Sequence, residues 1–275
     1  MDAEHLILTR FAVKASAGAP PHPAEWLEYR LALFAAYCLP GLAAQTAHRF
    51  TWLVFCDEAT PRWCLDRLAR HAADAPQLRV ALSSTRRPAV EDVRAQLSGA
   101  PVLVTTRIDS DDGSSTDLVE RIAAYAEPFA ATAHPSLVLN FSRGCKLDTA
   151  TGRVFETFHP QSPHLTLFER TGPGHPPPLT IQSGNHGRIQ ERHPVHQDAG
   201  PPAWLQVVHG GNLSNHIHET DAEIGAAALD RFAVDPRAAA AVPPPPAAPQ
   251  PDDAAARGAF RQGLEDALLP RGAAR

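Results

Sequence analysis

The chain has 275 residues, with 25 Lys and Arg against 30 Asp and Glu. That length suits one large α/β domain, alone or with appendages, and can bury a core without disulfides. The mildly acidic balance and the lack of a basic stripe argue against nucleic acid as a partner. No stretch approaches the roughly 20 apolar residues of a membrane span, which excludes a transmembrane segment and leaves peripheral membrane contact open.

Two further features indicate a cytoplasmic protein. The N-terminus has acids where a secretion signal has basic residues. The cysteines form no CxxC pair and mostly adjoin apolar segments, so they read as core thiols in a reducing compartment and not as a zinc site or a disulfide framework. These cysteines are Cys38, Cys56, Cys64 and Cys145.

The first 126 residues alternate apolar runs with helical patterns. Runs typical of buried strands occupy residues 5–11, 50–57, 78–82 and 101–108. Apolar spacing of three to four residues predicts helices over residues 24–38, from Thr60-Pro61 onward, near 90–98 and over 118–126. We expect Leu39-Pro40-Gly41 to end the first helix, and hydroxyl side chains to cap later ones, namely Thr60 and one of Ser114, Ser115 or Thr116. The alternation is typical of a parallel α/β sheet.

After residue 126 the pattern changes to one of antiparallel strands separated by His, Pro and Gly-rich loops. We expect strands at residues 137–142, 147–158 with a turn at Thr151-Gly152, 165–169, 179–181 and 204–209. A last helix is predicted over 219–232. Residues 236–257 read as a Pro/Ala-rich linker, and 258–275 as a short helix or tail.

The main chemical signal is the acidic turn that follows the strand predicted at residues 101–108. Asp109, Asp111 and Asp112 fall within four residues at the carboxyl end of that strand, where open parallel sheets bind ligands. Carboxylates this close repel one another unless a cation or hydrogen-bond donors compensate. Mg²⁺ and Mn²⁺ take oxygen ligands and complete their coordination with substrate phosphates. The turn therefore indicates a divalent metal site.

Three other interpretations of the acidic turn are open or weak. It can be a plain turn in which an Asp or Ser caps the next helix. An EF-hand loop counted from Asp109 fails, because Gly113 stands fifth and Ser114 sixth. A haloacid-dehalogenase-type phosphatase would have Thr or Val where Gly113 stands.

With the acidic turn placed, the chain resembles a bacterial family of rhamnosyltransferases with a GT-A-like fold. The resemblance spans roughly residues 4–232, and the order and spacing of its elements are its specific feature. It departs from the family at Gly113-Ser114-Ser115, where a more apolar continuation is expected. The matching residues are Thr9-Arg10-Phe11, Trp26, Arg30, Leu33-Phe34, Cys38-Leu39-Pro40, Gln45, Phe50, Trp52-Leu53-Val54-Phe55, Asp57, Thr60-Pro61, Thr106-Arg107-Ile108-Asp109, Asp111-Asp112, His209-Gly210, Asn212 and His216.

The resemblance implies a GT-A-like, Rossmann-type fold, whose mostly parallel central sheet is flanked by helices and joined to a smaller antiparallel, loop-rich acceptor part. Residues 1–126 would bind the nucleotide-sugar donor, and 127–235 would form the acceptor and catalytic half. The implied activity moves a sugar, rhamnose by the family's name, from a nucleotide diphosphate to a glycan or other acceptor. The implied cofactor is Mn²⁺ or Mg²⁺.

The resemblance also assigns roles to individual residues. The metal ligands would be Asp109, Asp111 and His209, with Asp111 the direct ligand and Asp109 toward the ribose or the metal's water shell. His216 and His218 are the alternatives to His209. The other donor contacts would be Arg10, Asp57 and Arg107, although either arginine can instead form a structural ion pair. Arg30 lies on a helix face, where a structural role is expected.

The general base that an inverting transferase needs is left open by the sequence. The candidates are Asp112, Glu169 and one of the late histidines. Two alternatives to a transferase also stand: a metal-dependent phosphohydrolase acting on a sugar phosphate or nucleotide, and a non-catalytic module that binds a glycan or nucleotide.

Overall fold

The computed structural model describes residues 3–13, 20–83, 90–94, 96–183, 186–212 and 215–246. The first half alternates strands and helices as the apolar pattern predicts. Its elements are β1 (Ala3–Ala12), α1 (Ala24–Leu33), α2 (Leu39–Ala43), β2 (Thr51–Asp57), α3 (Arg62–Arg70), β3 (Leu78–Ser83), α4 (Val90–Arg94) and β4 (Val102–Arg107).

The second half is richer in strands, again as predicted, and has only short helices. Its elements are β5 (Gly113–Ser114), α5 (Leu118–Ala123), α6 (Ala126–Ala131), β6 (Ser136–Phe141), β7 (Arg143–Asp148), β8 (Val154–Phe158), β9 (Thr166–Arg170), β10 (Val195–Asp198), β11 (Trp204–Val208), β12 (Ala222–Ile224) and α7 (Pro236–Ala240).

Seven strands form the main sheet, in the order β10-β6-β9-β4-β1-β2-β3. Every neighbouring pair in it is parallel except the two pairs that contain β9. The predicted α/β class with a mostly parallel central sheet is confirmed. Six strands therefore end at the same edge of the sheet, which we call the carboxyl edge.

Helices and loops cover both faces of the main sheet. Leu6 and Leu8 of β1 pack with Leu53 of β2 in one buried cluster, whereas Ile7 packs with Trp52 in another. This alternation follows from the two-residue period of a strand, and burial on both faces explains why these strands read as continuous apolar runs.

The other five strands form a second sheet, in the order β12-β8-β7-β11-β5. Strands β7 and β8 make the predicted antiparallel hairpin, and Gly152 takes up a φ of +71° in its turn. A buried ion pair between Lys146 and Asp221, 2.8 Å long, attaches the segment before β12 to this sheet. Residues 108–112 connect β4 of the main sheet directly to β5 of the second, so the acidic turn lies where the two sheets meet.

The first helix does not end at Leu39-Pro40-Gly41 as predicted. It continues through a π-helical turn, Phe34–Cys38, into α2. The Leu39 N–H donates to the carbonyl of Phe34, five residues back, so the helix is already widened where Pro40 enters. In a regular helix the proline ring would clash with the carbonyl four residues back, and the wider turn relieves that clash.

Both predicted hydroxyl caps are wrong. Helix α3 begins after Pro61 and α5 begins after Asp117, and neither N-cap side chain accepts a hydrogen bond from its helix. Ser114 instead pairs with Trp204 in the second sheet. Sheet pairing at Ser114 thus replaces the cap that the local sequence favours.

Several predicted elements differ in type or length. Residues 179–181 were predicted as a strand, but they form none, and Thr180 has a φ of +64°. Helix α4 was predicted near residues 90–98 and ends at Arg94. The predicted helix over 219–232 is strand β12 followed by a 3₁₀ helix, because β12 pairs with β8. Helix α7 lies at the start of the predicted linker and packs against the buried cluster of the second sheet, which includes Val154, Leu205 and Val207. Residues 247–275, with the predicted C-terminal helix, lie outside the described residues.

Two simpler expectations are met. All four cysteines are buried and free. In the described ranges, no helix has the length and apolar character needed to cross a membrane.

We expect Gly41→Ala to destabilise the protein, although alanine is the better helix former by about 1 kcal/mol. A Cβ at Gly41 would lie 2.2 Å from the backbone carbonyl oxygen of Ser114, which cannot rotate away. Overpacking of this kind costs about 1–3 kcal/mol. Urea denaturation would measure the loss, with Gly225→Ala as the control because a Cβ there meets no atom within 4 Å. Equal stability of the Gly41 variant and the parent would contradict the close packing of α2 on β5.

Candidate functional site

The acidic turn lies at the carboxyl edge of the main sheet, beside the ends of β1 and β4. Arg107 is the last residue of β4, and Arg10 lies near the end of β1. Asp57 ends β2 at the same edge. Parallel pairing therefore brings three residues that are far apart in the sequence to one edge of the sheet, the edge at which open α/β sheets bind ligands.

Asp109 is paired with two arginines. Its carboxylate accepts from Arg107 Nη2 at 2.8 Å, and Arg10 Nη2 lies 3.6 Å from its other oxygen. Burial raises the pKa of Asp109, but the charges of Arg107 and Arg10 outweigh burial and bring the pKa to about 2. Both arginines are thus placed at the acidic turn as predicted, in contact with Asp109.

Asp111 is held by Arg30 and His209. Arg30 Nη1 donates to Asp111 Oδ2 at 2.6 Å, and His209 Nε2 lies 3.0 Å from the same oxygen. Burial raises the pKa of Asp111, yet the Arg30 charge and the hydrogen bond from His209 hold it below its usual range. The second nitrogen of the Arg30 fork donates to Ser110 Oγ.

The imidazole of His209 is oriented from both sides. Because an ionised Asp111 can only accept, Nε2 carries the proton that points at it. Nδ1 then accepts from the Tyr29 hydroxyl at 2.7 Å and from the Gly211 N–H at 3.2 Å. The Tyr29 and His209 rings also meet edge to face, 5.5 Å apart. Helix α1 and the loop after β11 therefore both position this histidine.

Of the three predicted metal ligands, the structure brings Asp111 and His209 together. Asp111 Oδ2 and His209 Nε2 are 3.0 Å apart, close to the spacing of neighbouring ligands at about 2.1 Å from an octahedral Mg²⁺. Asp109 is engaged by Arg107 instead. Within the described ranges, no group of three or more His, Cys, Asp or Glu side chains is arranged to hold a metal. A metal here would take two protein ligands, and other ligands would have to come from its substrate.

Neither carboxylate predicted as a general base, Asp112 or Glu169, is placed to contact an acceptor at the acidic turn. Asp112 is 1% exposed, and its Oδ1 accepts from the Val207 N–H at 2.9 Å, which ties the turn to β11. Burial and the charges of Asp111 and Asp109 raise its pKa well above the usual range. An acceptor hydroxyl cannot contact a side chain so enclosed, so Asp112 is a structural link.

Glu169 lies at the wrong end of the sheet. In the β4–β9 pairing it stands opposite Leu103, four residues before Arg107, or about 13 Å along the strand. Its two oxygens accept from the N–H groups of Leu179 and Thr180, at 2.8 and 2.9 Å. Antiparallel pairing thus turns this predicted base into an anchor for the turn at residues 179–181.

The remaining predicted donor contact, Asp57, lines a small cleft at the end of β2. Its Oδ1 accepts from the Ala59 N–H at 2.8 Å. His22, Leu27 and Thr60 line the same cleft. The alternative histidines, His216 and His218, are exposed and pack on one another with ring centroids 4.0 Å apart.

Sequence reasoning gave Arg30 a structural role without its partner Asp111, and it missed Tyr29 and His164. The crowded carboxylates were a signal for Arg30, since they require counter-cations. His164 follows no motif. It is 1% exposed, neither ring nitrogen has a hydrogen-bond partner among the described residues, and burial lowers its pKa to about 4. Its imidazole also interacts electrostatically with Asp109 and Arg107.

We expect His164→Leu to reduce the acid sensitivity of the fold. Below pH 6.5 the unfolded chain takes up a proton on His164, whereas the folded protein does so only near its lowered pKa of about 4. Stability therefore falls as the pH drops through that window, by about 2–3 kcal/mol for this group. Urea denaturation from pH 7 to pH 4 should show a smaller loss for the variant. His134→Gln, on the surface, is the control, and identical pH profiles for parent and His164→Leu would refute this role.

The chain has distant likenesses to solved structures. S. aureus TarS 1-349 in complex with UDP-GlcNAc is 11% identical with a TM-score of 0.43, and the match covers 78% of this chain and 62% of that one. Mouse xyloside xylosyltransferase 1 is 14% identical with a TM-score of 0.29, over 52% of this chain and 53% of that one. The chain spans 60% of the first TarS structure found. Because these TM-scores are below 0.5, we base neither fold nor ligand on them.

No curated protein sequence matches the chain. A family profile does, over residues 15–221, which is about three quarters of the chain. The match contains the helix that carries Arg30, the acidic turn and His209, and it begins after β1. The chain belongs to the family described as "Putative rhamnosyl transferase".

Proposed function

We propose that the protein transfers a sugar from a nucleoside-diphosphate donor to a hydroxyl of a glycan or other acceptor. The observation that carries this proposal is the site itself. Asp111 and His209, 3.0 Å apart, stand among three arginines at the carboxyl edge of the sheet, in a chain of this family. Rhamnose, the sugar in the family's description, is the first donor sugar to test. The free, buried cysteines support a cytoplasmic location.

The donor's nucleoside is proposed to lie at the ends of β1 and β2. Asp57 and His22 line the cleft there, and His22 stacks on Trp26 with ring centroids 4.0 Å apart. A carboxylate can accept from a base or ribose, and stacked rings offer a flat apolar wall. Asp109, which follows β4 beside β1 at the same edge of the sheet, is the proposed ribose contact.

The diphosphate is proposed to bind across the acidic turn. Mn²⁺ or Mg²⁺, held by Asp111 and His209, would neutralise charge on the departing nucleoside diphosphate. Arg10, Arg30 and Arg107 supply fixed positive charge at the same place. Guanidinium groups bind phosphate oxygens in a bidentate way, and preorganised charge of this kind stabilises a leaving group as its charge develops.

The tyrosine beneath His209 has a positioning role in this proposal. In the free protein Nε2 carries the ring proton. A metal on Nε2 requires that proton to move to Nδ1, which then donates to the Tyr29 hydroxyl oxygen, so the same contact keeps Nε2 directed toward Asp111. Hydrogen bonds to the far nitrogen of a metal-binding histidine set its orientation and tautomer. Tyr29→Phe should therefore weaken metal-dependent nucleotide binding roughly tenfold.

Isothermal titration calorimetry of UDP, GDP and dTDP with Mn²⁺, repeated with excess EDTA, tests the proposal. We expect one nucleotide to bind tightly, to lose that affinity with EDTA, and to bind Asp111→Asn at least 100-fold more weakly. Loss of a hydrogen-bonded carboxylate ligand in a desolvated site predicts an effect of this size. Glu169→Gln is the matched control, since Glu169 lies four residues along the strand from the site, and it should bind as the parent does.

Turnover distinguishes the alternatives. A transferase consumes the nucleotide sugar rapidly when an acceptor is present and at most hydrolyses it slowly without one. A phosphohydrolase releases inorganic phosphate, and a binding module shows no chemistry. Equal nucleotide binding by the parent and Asp111→Asn would contradict the proposed donor site.

A further inference from the structure

We propose that Arg30 occupies the cation position at Asp111 in the free protein, so that a divalent metal enters only together with the donor's diphosphate. This inference rests on the proposed function and adds an order to its binding steps. It concerns a residue whose sequence context suggested a structural role.

The contact between Arg30 and Asp111 is short and enclosed. Nη1 lies 2.6 Å from Asp111 Oδ2, and the two side chains are only 14% and 13% exposed. Nη2 donates to Ser110 Oγ, so the planar fork grips the turn at two points. The guanidinium carbon also lies 5.7 Å from the centre of the Trp26 ring, which is within cation–π range.

The same carboxylate oxygen would have to serve a metal. Oδ2 of Asp111 faces both Arg30 and His209. A divalent ion bound between Asp111 and His209 would place its charge next to the guanidinium, which repels it. Metal binding therefore requires Arg30 to move away from Oδ2 and the ring proton of His209 to move from Nε2 to Nδ1.

Charge balance around the turn adds to this barrier. Asp109 is paired with Arg10 and Arg107, and Asp111 with Arg30, so these two carboxylates face three arginines. The excess of negative charge that would attract a free divalent cation is therefore absent from the paired cluster. Metal alone gains little there, since each carboxylate that it takes leaves an arginine unpaired in a poorly solvated place.

A nucleoside diphosphate changes both the charge balance of the turn and the partner available to Arg30. Its phosphates bring the missing negative charge and offer Arg30 a new partner of matching geometry. The Nε–H of Arg30 is buried and has no hydrogen-bond partner among the described residues, so the guanidinium keeps an unused donor. With Arg30 turned to phosphate, Oδ2 is released to the metal. Metal and diphosphate then strengthen each other's binding by the same factor.

The test is a titration of Mn²⁺, followed by electron paramagnetic resonance of the free ion. The parent is measured alone and with the nucleotide that binds best among UDP, GDP and dTDP. Arg30→Gln and Arg30→Lys are measured alone. Arg121→Gln is the matched control, because it breaks a similarly enclosed ion pair, with Asp198. Thermal melting verifies that each variant is folded.

We expect the parent to bind Mn²⁺ at least 100-fold more tightly with nucleotide than without. Arg30→Gln should bind Mn²⁺ alone at least tenfold more tightly than the parent, whereas Arg30→Lys and Arg121→Gln should match the parent. Equal Mn²⁺ affinity of the parent with and without nucleotide would overturn the inference, and this arm needs no variant. Equal affinity of folded Arg30→Gln and parent would also overturn it.

The two proposals fail in different ways. If none of the three nucleotides binds with or without Mn²⁺, the proposed function fails, and the comparison of Arg30→Gln with the parent still decides whether Arg30 blocks the cation position. If a nucleotide binds but Mn²⁺ affinity is indifferent to it, the function stands and only the role of Arg30 is lost.

Discussion

The pairing of carboxylates with arginines at the acidic turn is the interaction on which the site depends. The carboxylates of Asp109 and Asp111, two residues apart in the chain, would repel each other, and ion pairs with Arg107 and Arg30 offset that repulsion. The turn is also a structural junction, since it leaves the main sheet at β4 and enters the second sheet at β5. Asp112 completes the junction through its bond to the Val207 N–H. The fold and the site therefore share the same few ionic contacts.

This arrangement makes the site responsive to anions. A turn of three aspartates reads from sequence as a metal site, yet in the folded protein its charges are already matched. Preorganised guanidinium groups next to the proposed metal position suit a ligand that carries a diphosphate, because its phosphates can bind both the arginines and a metal. His209, oriented by Tyr29 from helix α1, links that position to the first helix and to the loop after β11. Family membership and local electrostatics thus support the same chemistry.

Sequence patterns predicted the parallel half of the fold and the acidic turn at the end of a buried strand, because buried strands and acidic turns are local signals. They failed where distant segments decide the outcome. Pro40 is accommodated by a π-helical turn, and Ser114 pairs with β11 instead of capping a helix. Glu169 was predicted as a candidate general base, but the antiparallel register of β9 places it opposite Leu103, away from the acidic turn. Arg30 reached Asp111 across 81 positions of sequence, a contact that no local pattern encodes.

The most direct measurement is a crystal structure of the protein with a nucleoside diphosphate and Mn²⁺, with data collected at the manganese absorption edge. The proposed site requires an anomalous peak within bonding distance of Asp111 and His209, with both phosphates beside it and the Arg30 guanidinium turned from Asp111 to phosphate. A nucleotide bound away from the carboxyl edge, or one at that edge with Arg30 still on Asp111 and manganese elsewhere, would contradict it.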